Sequence, residues 1–282
     1  TFGHGGNQEV VRPFAARGDV ELLLVTPQMQ SFEAGKKTES GEVPLSEEDV
    51  PHWDDDFPFW QSTTVELEGR TVSFRRIVMP MIDNDTEMSN WLDSIAVDAV
   101  VCSGSRRNVS MWEDWMAPTA SLVRASANAG RPTLGICFGH QLLCHALGAI
   151  IERADSLSSG IWDLDFTEIG VDDELLTSHV SDDSCVAGLF THQDHVMSVP
   201  ESCSLLCSTS HNGVTAVRVL SEDGEPLPSW GIQFHPEAAR ARIERAHEWG
   251  HISDEELASF KGEHDGASIL SSFATAVGRY QA

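Results

Sequence analysis

Apolar positions fall first into short continuous runs and later, beyond about residue 150, into alternating ones. Residues 19–25 (Asp-Val-Glu-Leu-Leu-Leu-Val), closed by Thr26-Pro27, predict a strand buried on both faces, as parallel sheets require. Residues 71–79 and 97–102 predict a second and a third strand, and the short run at 133–136 leads through a glycine-flanked turn into a helix whose buried stripe is Leu142, Leu143 and Ala146. Residues 112–129, with Pro118 placed as at a helix start and Gly130 placed to end it, predict the crossover helix between the last two strands. Right-handed units of this kind build a sheet with helices on both faces and put ligands at the C-terminal edge of its strands. The alternating runs 161–169, 204–208 and 214–220 predict antiparallel strands on the same core. Helices are expected at about 238–249, at 254–261 behind a Ser253/Glu256 capping box, and at 267–280. Residues 1–18 show no periodicity and read as an arm. No linker interrupts the rest, so 19–282 reads as one α/β domain, with a helical extension from 238.

The turn Gly135-Ile-Cys137-Phe-Gly139 carries the first candidate chemistry. A sharp strand-to-helix turn crowds its neighbours and favours glycine on either side, while the side chain at its apex stands clear of the sheet at the positive end of the helix. For a cysteine that setting favours the thiolate, the thiol counterpart of the serine nucleophile elbow. A base is offered by the apolar strand 229–234, which ends in His235-Pro236-Glu237. His235 can take the thiol proton and return it to a leaving amine, and Glu237 can fix the ring tautomer and stabilise the imidazolium. Pro236 ends the ladder and stiffens the spacing between them.

Gly135-Ile-Cys-Phe-Gly-His-Gln141 together with Phe234-His-Pro-Glu237 resembles the class I glutamine amidotransferases, in particular stand-alone proteins similar to the glutaminase domain of GMP synthase. Two further blocks extend the likeness, in the family's order: Val100-Val-Cys-Ser-Gly-Ser105, similar to the oxyanion strand, and Thr191-His-Gln-Asp-His-Val196, similar to a Ser-His-Gly-Asp-x-Val loop. The resemblance implies a flavodoxin-like fold, a central mostly parallel sheet flanked by helices with additional antiparallel strands. It implies Cys137, His235 and Glu237 as the triad, backbone N–H groups of Gly104 and Phe138 as the oxyanion hole, and Gln141, Thr191, Gln193 and Asp194 at the substrate. It also implies no cofactor and no metal. The expected reaction is cysteine-dependent hydrolysis of the γ-amide of glutamine, with ammonia passing to an acceptor on a partner synthetase. The same triad would serve a free-standing γ-glutamyl peptide or amine hydrolase, and a non-catalytic regulatory subunit is the third reading. Departures from the family are the polar, acidic stretch of about 28–61, read as an insertion, Arg106 and Arg107 after the oxyanion strand, and Gln193 in place of glycine.

Charge narrows the partners. A formal net charge of −26, from 44 acids against 18 bases, repels phosphate backbones and anionic bilayers, so nucleic acid and membrane are excluded as expected partners. No apolar run approaches the roughly 18 residues of a membrane helix, and the first residues lack a signal-peptide pattern, so the expected location is the cytoplasm. The six cysteines show no Cys-x-x-Cys pair, against a disulfide framework or a thiolate metal site. His247-Glu-Trp-Gly-His251 fits a zinc pattern, but Gly250 and the helix cap at Ser253 interrupt the helix it needs. Gly35-Lys-Lys-Thr38 lacks the first glycine of a phosphate loop, and there is no Ser-Gly-Gly-x-Asp-Ser stretch for ATP.

Overall fold

The structure is a computed structural model that describes residues 7–25, 63–77, 79–105, 107–176, 186–248, 252–260 and 262–280. The expected insertion at 28–61, Arg106, Cys185 and His251 lie outside the described residues. Where one domain was expected from 19 onward, the described residues gather into two compact units, one up to residue 83 with 113–119, the other 84–112 with everything from 120.

In the first unit, helix α1 (Asn7–Ala15) precedes strand β1 (Val20–Val25), followed by a hairpin of β2 (Thr63–Leu67) and β3 (Arg70–Ile77). The hairpin turns through Glu68 and Gly69, both at positive φ (53° and 72°), the twist that suits a two-residue connection. β1 runs parallel to β3, from Val20 opposite Val72 to Val25 opposite Ile77. Two expectations are corrected here. The stretch read as an arm carries α1, because Val11 and Ala15, one turn apart, bury against Leu67 and Val72; Pro13 in its midst hid the helix. β1 belongs to a three-stranded sheet with β3 and β2, hydrogen-bonded separately from the larger sheet it was expected to open.

The second unit contains α2 (Asp85–Ser94), capped by the Asn84 side chain, then β4 (Val100–Cys102). Helix α3 (Met116–Asn128), whose residues up to 119 are grouped with the first unit, precedes β5 (Thr133–Ile136) and α4 (Phe138–Ala146). Then come β6 (Ile151–Asp163), β7 (Asp165–Phe166), α5 (Glu168–Val171), β8 (Ala187–Val196), β9 (Cys203–Thr209), β10 (Asn212–Leu220) and β11 (Pro226–Ile232). Helices α6 (Arg240–Glu248), α7 (Asp254–Ser259) and α8 (Gly266–Tyr280) end the chain, and α7 carries the expected capping box. The six-stranded sheet has the order β4-β5-β11-β10-β9-β7, while β6 and β8 form a separate antiparallel ribbon. The sheet thus joins a parallel part to the expected additional antiparallel strands. β4, β5 and β11 run parallel, but β9, β10 and β11 return through short connections that only antiparallel strands permit. The core gathers Leu134, Ile136, Phe138, Leu142, Leu143, Trp230, Ile232 and Phe234, all 3% exposed or less. Phe273 of α8 meets Trp230 edge-on at 6.0 Å.

Candidate active site

β5 and β11 are parallel neighbours, so their C-terminal ends deliver Cys137 and His235 to the same edge of the sheet. Cys137 sits at φ 51°, ψ −102°, a conformation that costs a non-glycine residue about 1–3 kcal/mol and persists only where its surroundings enforce it. Its N–H donates to the Ile232 carbonyl at 2.8 Å, which ties the turn to β11. The flanking glycines are there for space. A methyl on Gly139 would lie 2.0 Å from the Cys102 carbonyl oxygen, and one on Gly135 would lie 2.5 Å from that of Gly139.

His235 leaves β11 with its N–H on the Leu189 carbonyl at 2.7 Å, and its Nδ1 lies 2.8 Å from Glu237 Oε1. The ring and the carboxylate are almost fully buried. Burial alone would lower the imidazole pKa, but the charges of Cys137 and Glu237 outweigh it and hold His235 well above its ordinary value. Nε2 is buried with no partner at bonding geometry, although ring and thiol are close enough to couple; such contacts commonly close only when substrate binds. Gly104 lies against both groups. A Cβ there would be 2.8 Å from His235 Cε1 and 3.8 Å from Cys137 Cβ. Phe138, the other expected oxyanion donor, is the first residue of α4.

The residues expected at the substrate are placed less uniformly. Thr191 turns its carbonyl oxygen toward Cys137 Sγ at 3.9 Å. Gln141 is buried, and its amide donates to the Asp194 carbonyl at 2.9 Å and to Gln233 Oε1 at 3.1 Å. The Asp194 carboxylate, 1% exposed, accepts from the Ser110 N–H at 2.8 Å and its hydroxyl at 2.7 Å, pinning the far end of the loop that begins at Gly104. Gln193 bonds across the ribbon, accepting from Arg153 at 2.6 Å and donating to the Ala154 carbonyl at 2.9 Å. Thr191, Gln193 and Asp194, expected in a loop, all lie within β8, because β6 supplies that segment with a ladder. Ser110, Gln233 and Arg153 were missed. Each matters through a partner distant in sequence, and no local signal marks them.

A histidine cluster begins one residue after Thr191. His192 and His195 have ring centroids 4.7 Å apart, His211 lies 5.7 Å from His192, and His211 stacks on Trp162 at 4.0 Å. Burial, reinforced by neighbouring imidazoles, lowers His192 to about 3 and His211 to about 4. His247, half of the zinc-like pattern, lies 2.6 Å from the Asp254 carboxylate.

The family model for class-I glutamine amidotransferases matches residues 63–246, more than half of the chain. The chain belongs to that family. Among curated amidotransferase relatives, the glutamine-hydrolysing GMP synthase subunit of Methanocaldococcus jannaschii is 26% identical over 172 residues, 60% of this chain and 80% of that protein. Gamma-glutamyl peptidase 3 of Arabidopsis thaliana is 33% identical over 160 residues, 56% of this chain and 60% of the relative. The chain thus spans less than two thirds of the length of some of the curated relatives it matches. A glutamine amidotransferase from Thermotoga maritima superposes with a TM-score of 0.55 at 15% identity, covering 92% of this chain and 98% of that one. A GMP synthase subunit protein from Thermoplasma acidophilum gives 0.53, also at 15%, covering 94% of this chain and 96% of that one. The fold is thus the α/β, flavodoxin-like fold of the family. Among the described residues no helix is long and apolar enough to cross a membrane.

Proposed function

We propose that this amidotransferase-family chain hydrolyses γ-glutamyl amides, glutamine first among them, through a Cys137 thioester. The observation that carries this reading is Cys137 on its strained turn with Gly104 and the His235–Glu237 pair against it. The Cys137 thiolate attacks the γ-carbonyl carbon, and the oxyanion is received by the N–H groups of Gly104 and Phe138, each donor worth roughly 3 kcal/mol of barrier. The C–N bond breaks as His235 gives its proton to the departing nitrogen. Water, deprotonated by the same ring, then adds to the thioester, and the C–S bond breaks to release glutamate and restore the thiol. Thr191 contributes its backbone to the glutamyl moiety, with Gln141, Gln193 and Asp194 shaping the same subsite. No metal or cofactor enters the cycle, and the reaction is placed in the cytoplasm.

Two relatives are named as one subunit of glutamine-hydrolysing GMP synthase. By that likeness the ammonia passes to a separate acceptor protein. A second reading, hydrolysis of γ-glutamyl peptides, is supported by the likeness to gamma-glutamyl peptidase 3 and by the side chain at Gln193.

The test is glutamate release from glutamine and from a small γ-glutamyl panel. Activity should disappear in Cys137→Ala and after iodoacetamide. Full activity in Cys137→Ala would overturn the assignment.

A further inference from the structure

Six arginines of this acidic chain are neutralised. Arg12, Arg124, Arg131, Arg218, Arg240 and Arg279 each meet a carboxylate within ion-pair distance. Arg153 does not. Among the described residues its guanidinium is held by two neutral groups, Gln193 Oε1 at 2.6 Å and Met111 Sδ at 3.2 Å. An exposed guanidinium whose protein partners are neutral keeps its charge available to an anionic ligand.

Its position says which ligand. The loop after β4 begins at Gly104, against the thiol–imidazole pair, and runs to Ser110, which Asp194 pins, and Met111, which touches Arg153. Arg153 pairs with Asp194 in the ribbon register, and Thr191, three residues earlier in β8, has its carbonyl at Cys137 Sγ. The strand rise puts Thr191 roughly 10 Å from Asp194. Between Arg153 and Ser158 the ribbon register slips, leaving residues 154–157 as a bulge opposite Gln193. Bulges of this kind re-aim side chains next to active sites, and Gln193, bonded to the Ala154 carbonyl, holds this one in place. Arg153 therefore lies along the same ribbon as Thr191, whose carbonyl meets the thiol.

We propose that Arg153, aimed by Gln193, is the specificity determinant for the leaving group, and that it selects γ-glutamyl peptides whose departing residue ends in a carboxylate. In a γ-glutamyl dipeptide that carboxylate lies roughly 4 Å beyond the scissile carbon. A guanidinium fork suits a planar carboxylate and has nothing to bind in the ammonia leaving glutamine. The proposal rests on Cys137-dependent hydrolysis of γ-glutamyl amides.

The decisive comparison is kcat/KM for γ-glutamylglycine against its glycine methyl ester, measured on the wild-type protein, Arg153→Met and Arg153→Lys, with γ-glutamyl ethylamide as a neutral reference. The wild type should prefer the free acid by about fivefold to tenfold, as a partly exposed charge-assisted contact allows. Arg153→Met should abolish the preference and Arg153→Lys should restore part of it. Wild-type protein that treats acid and ester alike, or that turns over only the ethylamide, overturns the proposal and leaves the hydrolase reading standing. An equal fall of Arg153→Met on all three substrates also overturns it, since that would be a structural effect. Silence on every γ-glutamyl compound overturns the hydrolase reading, and the proposal with it.

Discussion

At Gly104 the absence of a single carbon keeps the thiol and the imidazole in place. A methyl there would press to 2.8 Å from His235 Cε1, and the ring cannot yield without losing Glu237, 2.8 Å behind its Nδ1. Gly104→Ala is expected to lower kcat by about a hundredfold or more, the scale of losing an oxyanion donor, while thermal stability changes little. Steady-state kinetics beside a thermal melt would separate the two, and near-wild-type kcat would contradict the placement. Glu237→Gln acts on charge instead of space. The His235 pKa is held up by Cys137 and by Glu237. Removing the Glu237 charge should move the imidazole pKa downward, and the pH dependence of iodoacetamide inactivation should shift with it. An unaltered profile would mean that Glu237 does not set the charge of the ring.

Two contacts between elements hold the site. The first is the approach of α4 to β4, where Gly139 lies against the Cys102 carbonyl. The second is the brace behind β11. Arg218 lies over the Trp230 ring at 4.5 Å and bonds Asp173 at 3.0 Å, while Trp230 donates its indole N–H to the same carboxylate at 3.0 Å. Asp173 and Arg218 are both largely buried, and deleting Asp173 leaves the guanidinium one carboxylate, Glu174 at 2.7 Å, and strips the Trp230 N–H of its acceptor. Asp173→Ala should therefore cost about 1–3 kcal/mol in denaturant unfolding. Since Trp230 lies in the strand that delivers His235, activity should fall at temperatures where the variant is still largely folded. A loss below about 1 kcal/mol would show that the brace is not needed.

On the scale of the whole molecule, buried histidines set the acid limit. His140 is lowered to about 4 by burial, His192 to about 3 and His211 to about 4, against an ordinary value near 6.5. Their folded pKa values lie below the unfolded ones, so between the two the unfolded chain binds more protons. This contribution to stability is complete above about pH 6.5 and is lost as pH falls toward 4 and then 3. The melting temperature should drop across that interval, before most carboxylates titrate. His192→Asn should flatten the drop. A melting temperature constant from about pH 6.5 to about 4.5 would remove histidine burial as the cause.

What was legible in the sequence is what local chemistry dictates. The elbow around Cys137, the strand that ends at His235-Pro236-Glu237, the Gly130 stop after α3 and the Ser253 cap each depend on neighbours within a few residues, so spacing and residue type suffice. Composition alone, through its net charge, turned the expected partners away from nucleic acid. What depends on contact across the fold was decided only by tertiary structure. β1 left the sheet it was expected to open because its ladder closes on β3, and Thr191–Asp194 became strand because β6 lies alongside. Gln141 turned inward to the Asp194 carbonyl, a partner 53 residues away. The bond of Arg153 to Gln193 also belongs to this class: a sequence counts acids and bases, but only packing decides which groups meet.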